Sequence, residues 1–415
     1  MWSARARAVS RAVAITAIAL LALGGRRAEA GSACRGRHWV GVWATSPSDG
    51  LGTPFVDQTL RLVVNPTLGG TRVRVRLSNR YGSQPVTLGA AAIAPRASGA
   101  DVVPGTTRTL RFGRRRSVTL EPGEEVVSRP VRLVFDAFQN LAVSVAVQGG
   151  SGPSTEHVTA FQTSYVSAPG SGDHTRDADG AAFTRTMTTW PFLTDIEIRK
   201  PRRVGALVAL GDSITDGVGS PNDQDRRYPD LLARRLAAAR IKLAVQIEAI
   251  SGNQVLRDAA APTFGPKLLD RLDRDVLDQA GARVVLLMEG TNDVGVPPIP
   301  SAARVIEGLA AAVERMHGAG LRVILGTLPP CKNFALALHG TPAAIAARNQ
   351  INDWIRTSTA ADGMVDFHAA LRDPLDPDRL NPAFDSGDHL HPNAAGYAVM
   401  AAAVDLNLLA GGGCR

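Results

Sequence analysis

Cysteine, histidine and long apolar runs are all scarce in this chain of 415 residues, and each scarcity narrows what it can be. Three cysteines, at 34, 331 and 414, allow three pairings and leave one thiol over; in an exported chain a bridge between Cys34 and Cys414 would join the mature termini. Eight histidines offer one His/Asp cluster, Asp385, Asp388, His389 and His391, while His317, His339 and His368 stand singly. Such a cluster is the raw material of a zinc-assisted hydrolase, but no second His-rich group completes the ligand set, so neither metal nor organic cofactor is expected. The apolar stretch 12–23 is too short to span a bilayer and no later run is longer, so an integral membrane span is not expected. Internal repeats, heptads and low-complexity tracts are absent too.

Charge is also modest. Arg5, Arg7 and Arg11 precede the apolar stretch, and Ala28-Glu29-Ala30 offers small residues where a signal peptidase cuts, so 1–30 reads as a secretory signal cleaved after about Ala30. Its removal takes away five arginines and one glutamate, leaving +4 of the formal +8. Nucleic-acid binding therefore has little support, and Arg114-Arg115-Arg116 is most simply a solvated turn, with an acidic glycan as the alternative partner. A composition of 45% hydrophobic and 20% charged residues supports a buried core and more than one domain.

Two kinds of pattern divide the chain. Over 31–200, strict alternation at 71–77 and short runs at 60–64, 86–90, 109–112, 117–120, 131–135, 141–147, 183–187 and 196–198 are separated by Gly, Pro and Asn turns. That is the pattern of an all-β sandwich or jelly roll, with 168–181 as an exposed loop. Over 201–415, apolar strands at 204–210, 243–250, 284–288, 323–326 and 364–365 alternate with helical stretches at 228–240, 266–279, 302–317, 342–357 and 394–409. Continuous apolar strands with helical crossovers imply a parallel sheet covered on both faces.

The chemistry sits at the ends of those strands. Ser213, in Gly211-Asp212-Ser213-Ile214-Thr215, leaves the first strand of the second part, and Asp388 stands three residues before His391. A serine hydroxyl needs an imidazole to take its proton, and the imidazole needs a carboxylate to fix its tautomer. The oxyanion that forms on the attacked carbonyl needs donors, for which the Ser213 and Gly252 backbone N–H groups and the Asn292 side chain are the candidates. Bland readings exist for each: Ser213 or Asp388 as a helix N-cap, His391 as a loop residue, Gly252 and Asn292 as turn formers. The joint pattern favours catalysis, whereas Asp293 and His389 are read as structural. Thr215 rules out the Gly-x-Ser-x-Gly elbow.

Four blocks in this order, Gly-Asp-Ser-Ile at 211–214, Ser-Gly-Asn at 251–253, Gly-Thr-Asn-Asp at 290–293 and Asp-His-Leu-His at 388–391, resemble those of the SGNH (GDSL-type) hydrolases over about 203–409. The resemblance implies a flavodoxin-like three-layer α/β/α fold, a serine esterase mechanism and the site roles just named. Some members acting on carbohydrate esters carry an N-terminal β-sandwich, which implies an ester substrate such as acylated, chiefly O-acetylated, extracellular polysaccharide. Two alternatives stand beside this: a lipase or lysophospholipase, and a glycan- or wall-binding protein without activity. Trp39, Trp43 and Trp190 are candidate sugar platforms but read more simply as packing, and Arg226 and Arg227 as surface charge.

Overall fold

A computed structural model describes residues 36–258 and 261–410. The expected signal segment 1–30 and both Cys34 and Cys414 lie outside the described residues, while Cys331 is a buried free thiol.

The front part is antiparallel. One sheet orders the strands Arg37–Ala44, Leu193–Pro201, Gly70–Ser78 and Glu125–Val127, with Val131–Phe135 also on Gly70–Ser78. A second runs Arg185–Met187, Ser164–Val166, Val56–Val64, Leu141–Gly150, Val86–Pro95 and Arg108–Thr109, with Val118–Leu120 on Val86–Pro95. Alternate residues of both sheets, among them Val73, Val75 and Leu77 from the first and Leu60, Leu62, Val143 and Val145 from the second, meet in one apolar core. Strand Arg37–Ala44 was not foreseen, because tryptophan, glycine and a bulge between Gly41 and Trp43 break its alternation.

Two expectations are corrected, for the loop 168–181 and, in the second part, for Arg227, while the packing reading of Trp43 and Trp190 holds. The loop 168–181 is not simply exposed: fully buried Arg61 reaches into it and donates to the carbonyls of His174 and Asp177. An arginine has five donors, and burial forces each to find an acceptor. Trp43 and Trp190 are buried and meet edge to face with centroids 4.9 Å apart, so neither offers a face to sugar. Half-buried Trp39 lies under the Arg74 guanidinium. Finally, Arg226 is exposed as expected but Arg227 is buried, donating to the Ala160 carbonyl at 2.6 Å beside the Trp190 ring. The Arg114–Arg116 turn is exposed.

The second part holds one parallel sheet in the order Leu243–Ala249, Gly205–Gly211, Ala282–Met288, Arg322–Gly326, Gly363–Val365. The second strand in sequence lies outside the first, and the later ones continue on the other side, which is the flavodoxin-like order; ligands of such sheets bind where the order reverses, at the carboxyl ends. Helices Tyr228–Ala238, Ala302–Gly318, Pro342–Thr357 and Ala394–Ala403 cover the sheet, each through an apolar stripe such as Val305, Leu309, Ala312, Val313 and Met316. The helix expected over 266–279 is instead an α turn, Leu268–Leu272, running into a π turn, Asp273–Leu277. The last helix stops at Ala403 rather than 409, and Leu406–Leu408 adds a single 3-10 turn.

The two parts share an interface with both apolar and polar contacts. Ala206 and Ala244 of the parallel sheet belong to the apolar core of the antiparallel part. Gly41 donates its N–H to the Ala280 carbonyl at 2.8 Å, and a Cβ there would lie 2.2 Å from Gln246 Nε2. Thr67 Oγ1 donates to Val245 O at 3.1 Å.

Candidate active site

Strand Gly205–Gly211 is wholly buried and ends in a turn too crowded for a larger residue at 211, where a Cβ would stand 2.3 Å from Thr215 Oγ1 and 2.5 Å from Met288 O. The helix Ser213–Asp216 follows at once. Its N-cap is Asp212, whose carboxylate accepts from Ile214 N at 3.0 Å, so the capping role considered for Ser213 belongs to its neighbour. Gly217, at φ 99°, closes the helix after one turn.

Ser213 Oγ lies 2.8 Å from His391 Nε2. His391 Nδ1 lies 2.6 Å from Asp388 Oδ2, which makes Nδ1 the protonated nitrogen and leaves Nε2 to accept from the serine. The other Asp388 oxygen accepts the N–H groups of Leu390 and His391 at 2.9 and 2.8 Å. Burial opposes ionisation of Asp388, but the proton of His391 and those two N–H groups hold its pKa well below the ordinary carboxylate range. Asp388 caps no helix; Asn393 does, accepting from Ala395 N and Gly396 N. His389 turns to Asp385 at 2.6 Å, and Asp293 accepts from Val255 N and Leu256 N.

The remaining blocks leave neighbouring strand ends at one level, since Gly211 is in register with Ala249 on one side and Met288 on the other. Ile250–Asn253 is a turn closed by Asn253 N to Ile250 O at 3.1 Å, with Gly252 at φ 80° and the Phe264 ring so close that a Cβ would be 2.4 Å from it. Buried Asn292 donates from Nδ2 to Asn253 O at 3.0 Å, fastening its amide beside that turn. One Nδ2 hydrogen therefore serves the turn.

Sequence reasoning passed over the residues beneath the site. Arg271, fully buried, donates to Asn253 Oδ1 at 2.8 Å, Gly211 O at 3.0 Å, Glu248 O at 3.0 Å and Asp275 Oδ2 at 2.9 Å, tying two strand ends and the Gly252 turn to one planar cation. Its signal was available: an arginine between Leu268 and Leu272 on the apolar side of a helix. Asn253 is equally buried and donates to Phe264 O and Pro266 O. Burial raises Asp212 and Asp293 to about 6 and Glu289 well above its ordinary value. Among the described residues no group of three His, Cys, Asp or Glu side chains has a geometry that would hold a metal.

The sequence model of the GDSL-like lipase/acylhydrolase family matches residues 209–399. That stretch belongs to the family. This acylhydrolase domain makes the protein a carboxylic ester hydrolase, with the parallel sheet that the four blocks implied. No curated protein matches the chain. Solved structures similar to the acylhydrolase domain include a GDSL-like lipase from Bacteroides thetaiotaomicron VPI-5482, 20% identical over 50% of this chain and 88% of that one, with a TM-score of 0.39. A carbohydrate acetylesterase from Sinorhizobium meliloti is 17% identical over 48% of this chain and 94% of that one, at 0.38. An acetylxylan esterase from Geobacillus stearothermophilus is 23% identical over 50% and 96%, at 0.37.

Proposed function

We propose that the protein is an exported serine esterase in which Ser213 attacks, His391 takes and returns the proton, and Asp388 holds His391. Ser213 N–H, Gly252 N–H and the Asn292 amide receive the oxyanion. The carrying observation is the continuous chain Ser213 Oγ to His391 Nε2 at 2.8 Å and His391 Nδ1 to Asp388 at 2.6 Å. An acyl group passes to Ser213 with release of the alcohol, and water deprotonated by His391 then releases the acid. No metal is required by these steps. The division into a β domain over 31–200 and a hydrolase domain over 201–415 is part of the proposal, as is export through 1–30.

The alcohol side we assign to carbohydrate. An open groove of about 480 Å³ runs between Leu51, Tyr81 and Pro153 of the front part and Pro262, Gly265 and Pro266 of the second. It adjoins the Gly252 turn through Phe264. Apolar and aromatic faces interleaved with Ser48, Asp49, Ser83 and Asp258 suit a sugar's mixed surface. A second reading, a lipase-like ester hydrolase, is favoured by Leu336 and Leu338, which are 87% and 42% exposed on the loop whose Phe334 ring stands edge-on to His391.

Turnover of p-nitrophenyl acetate, lost in Ser213→Ala, tests the mechanism; no turnover by pure, folded protein overturns it. A series from acetyl to long acyl esters beside acetylated xylan separates the two substrate readings, with highest kcat/KM on the acetyl compounds expected.

A further inference from the structure

The strand Ser154–His157 of the antiparallel part ends at a histidine that is 2% exposed and lies against the second part. His157 Nδ1 is 2.8 Å from Ser46 O, while Nε2 is 3.2 Å from Thr159 O and 3.1 Å from Asp216 Oδ1. Every polar neighbour of the ring is an acceptor, so both nitrogens must carry protons and the ring is an imidazolium. Its face stacks on Trp190, with centroids 5.6 Å apart. Burial pulls the His157 pKa down and the Asp216 carboxylate pushes it up, with a net rise; Asp216 is depressed in turn, its own burial being outweighed chiefly by His157.

Asp216 is fully buried and sits one helical turn after Ser213 in the helix Ser213–Asp216. Its Oδ2 accepts from Ser251 N at 3.2 Å, from Ser251 Oγ at 2.7 Å and from Thr159 Oγ1. Thr159 Oγ1 also lies 3.2 Å from Ser251 Oγ. One carboxylate thus joins the helix carrying Ser213 to the residue directly before Gly252, and the antiparallel part holds this carboxylate through Thr159 and His157.

We propose that His157 and Thr159 are positioning residues of the esterase site, which through Asp216 and Ser251 fix the Gly252 N–H relative to Ser213. The inference rests on the ester-hydrolysis reading and extends it: the front part then supplies a piece of the oxyanion geometry and is not a detachable binding module. A donor aimed at the oxyanion acts only when held in place, and displacement by about 1 Å costs on the order of 10²-fold in rate. Both side chains are engaged by Asp216 and its neighbours, so the loss is expected on kcat and not on KM.

The test is kcat and KM on p-nitrophenyl acetate with the full chain, comparing the parent with Thr159→Val, Thr159→Ser, His157→Gln and Ser251→Ala, each checked for folding by circular dichroism. Expected are kcat losses on the order of 10- to 100-fold in Thr159→Val and His157→Gln with KM within about twofold, a smaller loss in Ser251→Ala, and near-parental kcat in Thr159→Ser. If His157→Gln or Thr159→Val fails to fold, Ser251→Ala, which removes one hydroxyl, decides alone. Parental kcat in the folded variants overturns the inference while an active parent keeps the esterase reading; a parent inactive on every ester overturns both. Substrate-free nitrogen-15 NMR of the His157 ring at pH 8 supplies a second readout: two protonated nitrogens are expected, and a neutral ring overturns the clamp.

Discussion

Asp388 grips His391 twice, through the imidazole at 2.6 Å and through the backbone N–H at 2.8 Å. Because the carboxylate lies three residues upstream in the same loop, the tautomer is set locally, before any contact with Ser213. Asp388→Asn presents an amide to Nδ1 and favours the wrong tautomer, so kcat is expected to fall on the order of 10³- to 10⁴-fold with little change in melting temperature. Activity within tenfold of the parent would remove Asp388 from the proton relay.

Asn292 and Gly252 make different demands. Asn292→Ala removes a side-chain donor and is expected to lower kcat about 10²- to 10³-fold, leaving KM near parental. Gly252→Ala forces a side chain onto φ 80° and into the Phe264 ring, so stability and kcat fall together. Steady-state kinetics beside thermal melts separates these; a KM effect alone in Asn292→Ala would count against its role.

Arg271 is expected to be the most sensitive buried position outside the relay. Arg271→Met leaves the Gly211, Glu248 and Asn253 oxygens without their donor, at a cost of about 3 kcal/mol or more. Urea unfolding reads this directly. A loss below about 1 kcal/mol would mean that water replaces the guanidinium.

Two buried groups pull the stability in opposite directions across nearly the same pH window. Burial raises Glu156 to about 7 from 4.5, so the folded chain keeps a proton the unfolded chain has lost; the stability is full below pH 4.5 and is lost as pH rises through 7. Glu156→Gln should match the parent near pH 4.5 and exceed it by up to about 3 kcal/mol at pH 8. Burial lowers His339 to about 4 from 6.5, so here the unfolded chain takes the proton first, and stability present above pH 6.5 is lost as pH falls towards 4. His339→Leu should flatten that acid loss; the buried His368, also near 4, accounts for part of the remainder. Differences between variant and parent that stay constant with pH would refute both assignments.

The parallel sheet was readable because its strands, buried on both faces, are continuous apolar runs, and the helices show their own period. The Ser213–His391–Asp388 arrangement was readable because Ser213 and the Asp388–His391 pair sit at the ends of such elements, and the chemistry proposed for them restricts the residue types. Strand Arg37–Ala44 was not, since its bulge and tryptophans hide the alternation. The π turn at Asp273–Leu277 was hidden too, because sequence period does not distinguish it from α-helix.

Sequence alone therefore determined local things: most element types, the Ser213 turn, and a histidine held by a carboxylate three residues away. Tertiary structure decided that Arg271 lies under the nucleophile strand, that Trp43, Trp190 and Arg227 are buried, and that His157 meets Asp216. These contacts join segments tens to hundreds of residues apart, and no periodicity encodes them. A buried charge has to find its partner in space, and only the folded chain shows which one it has.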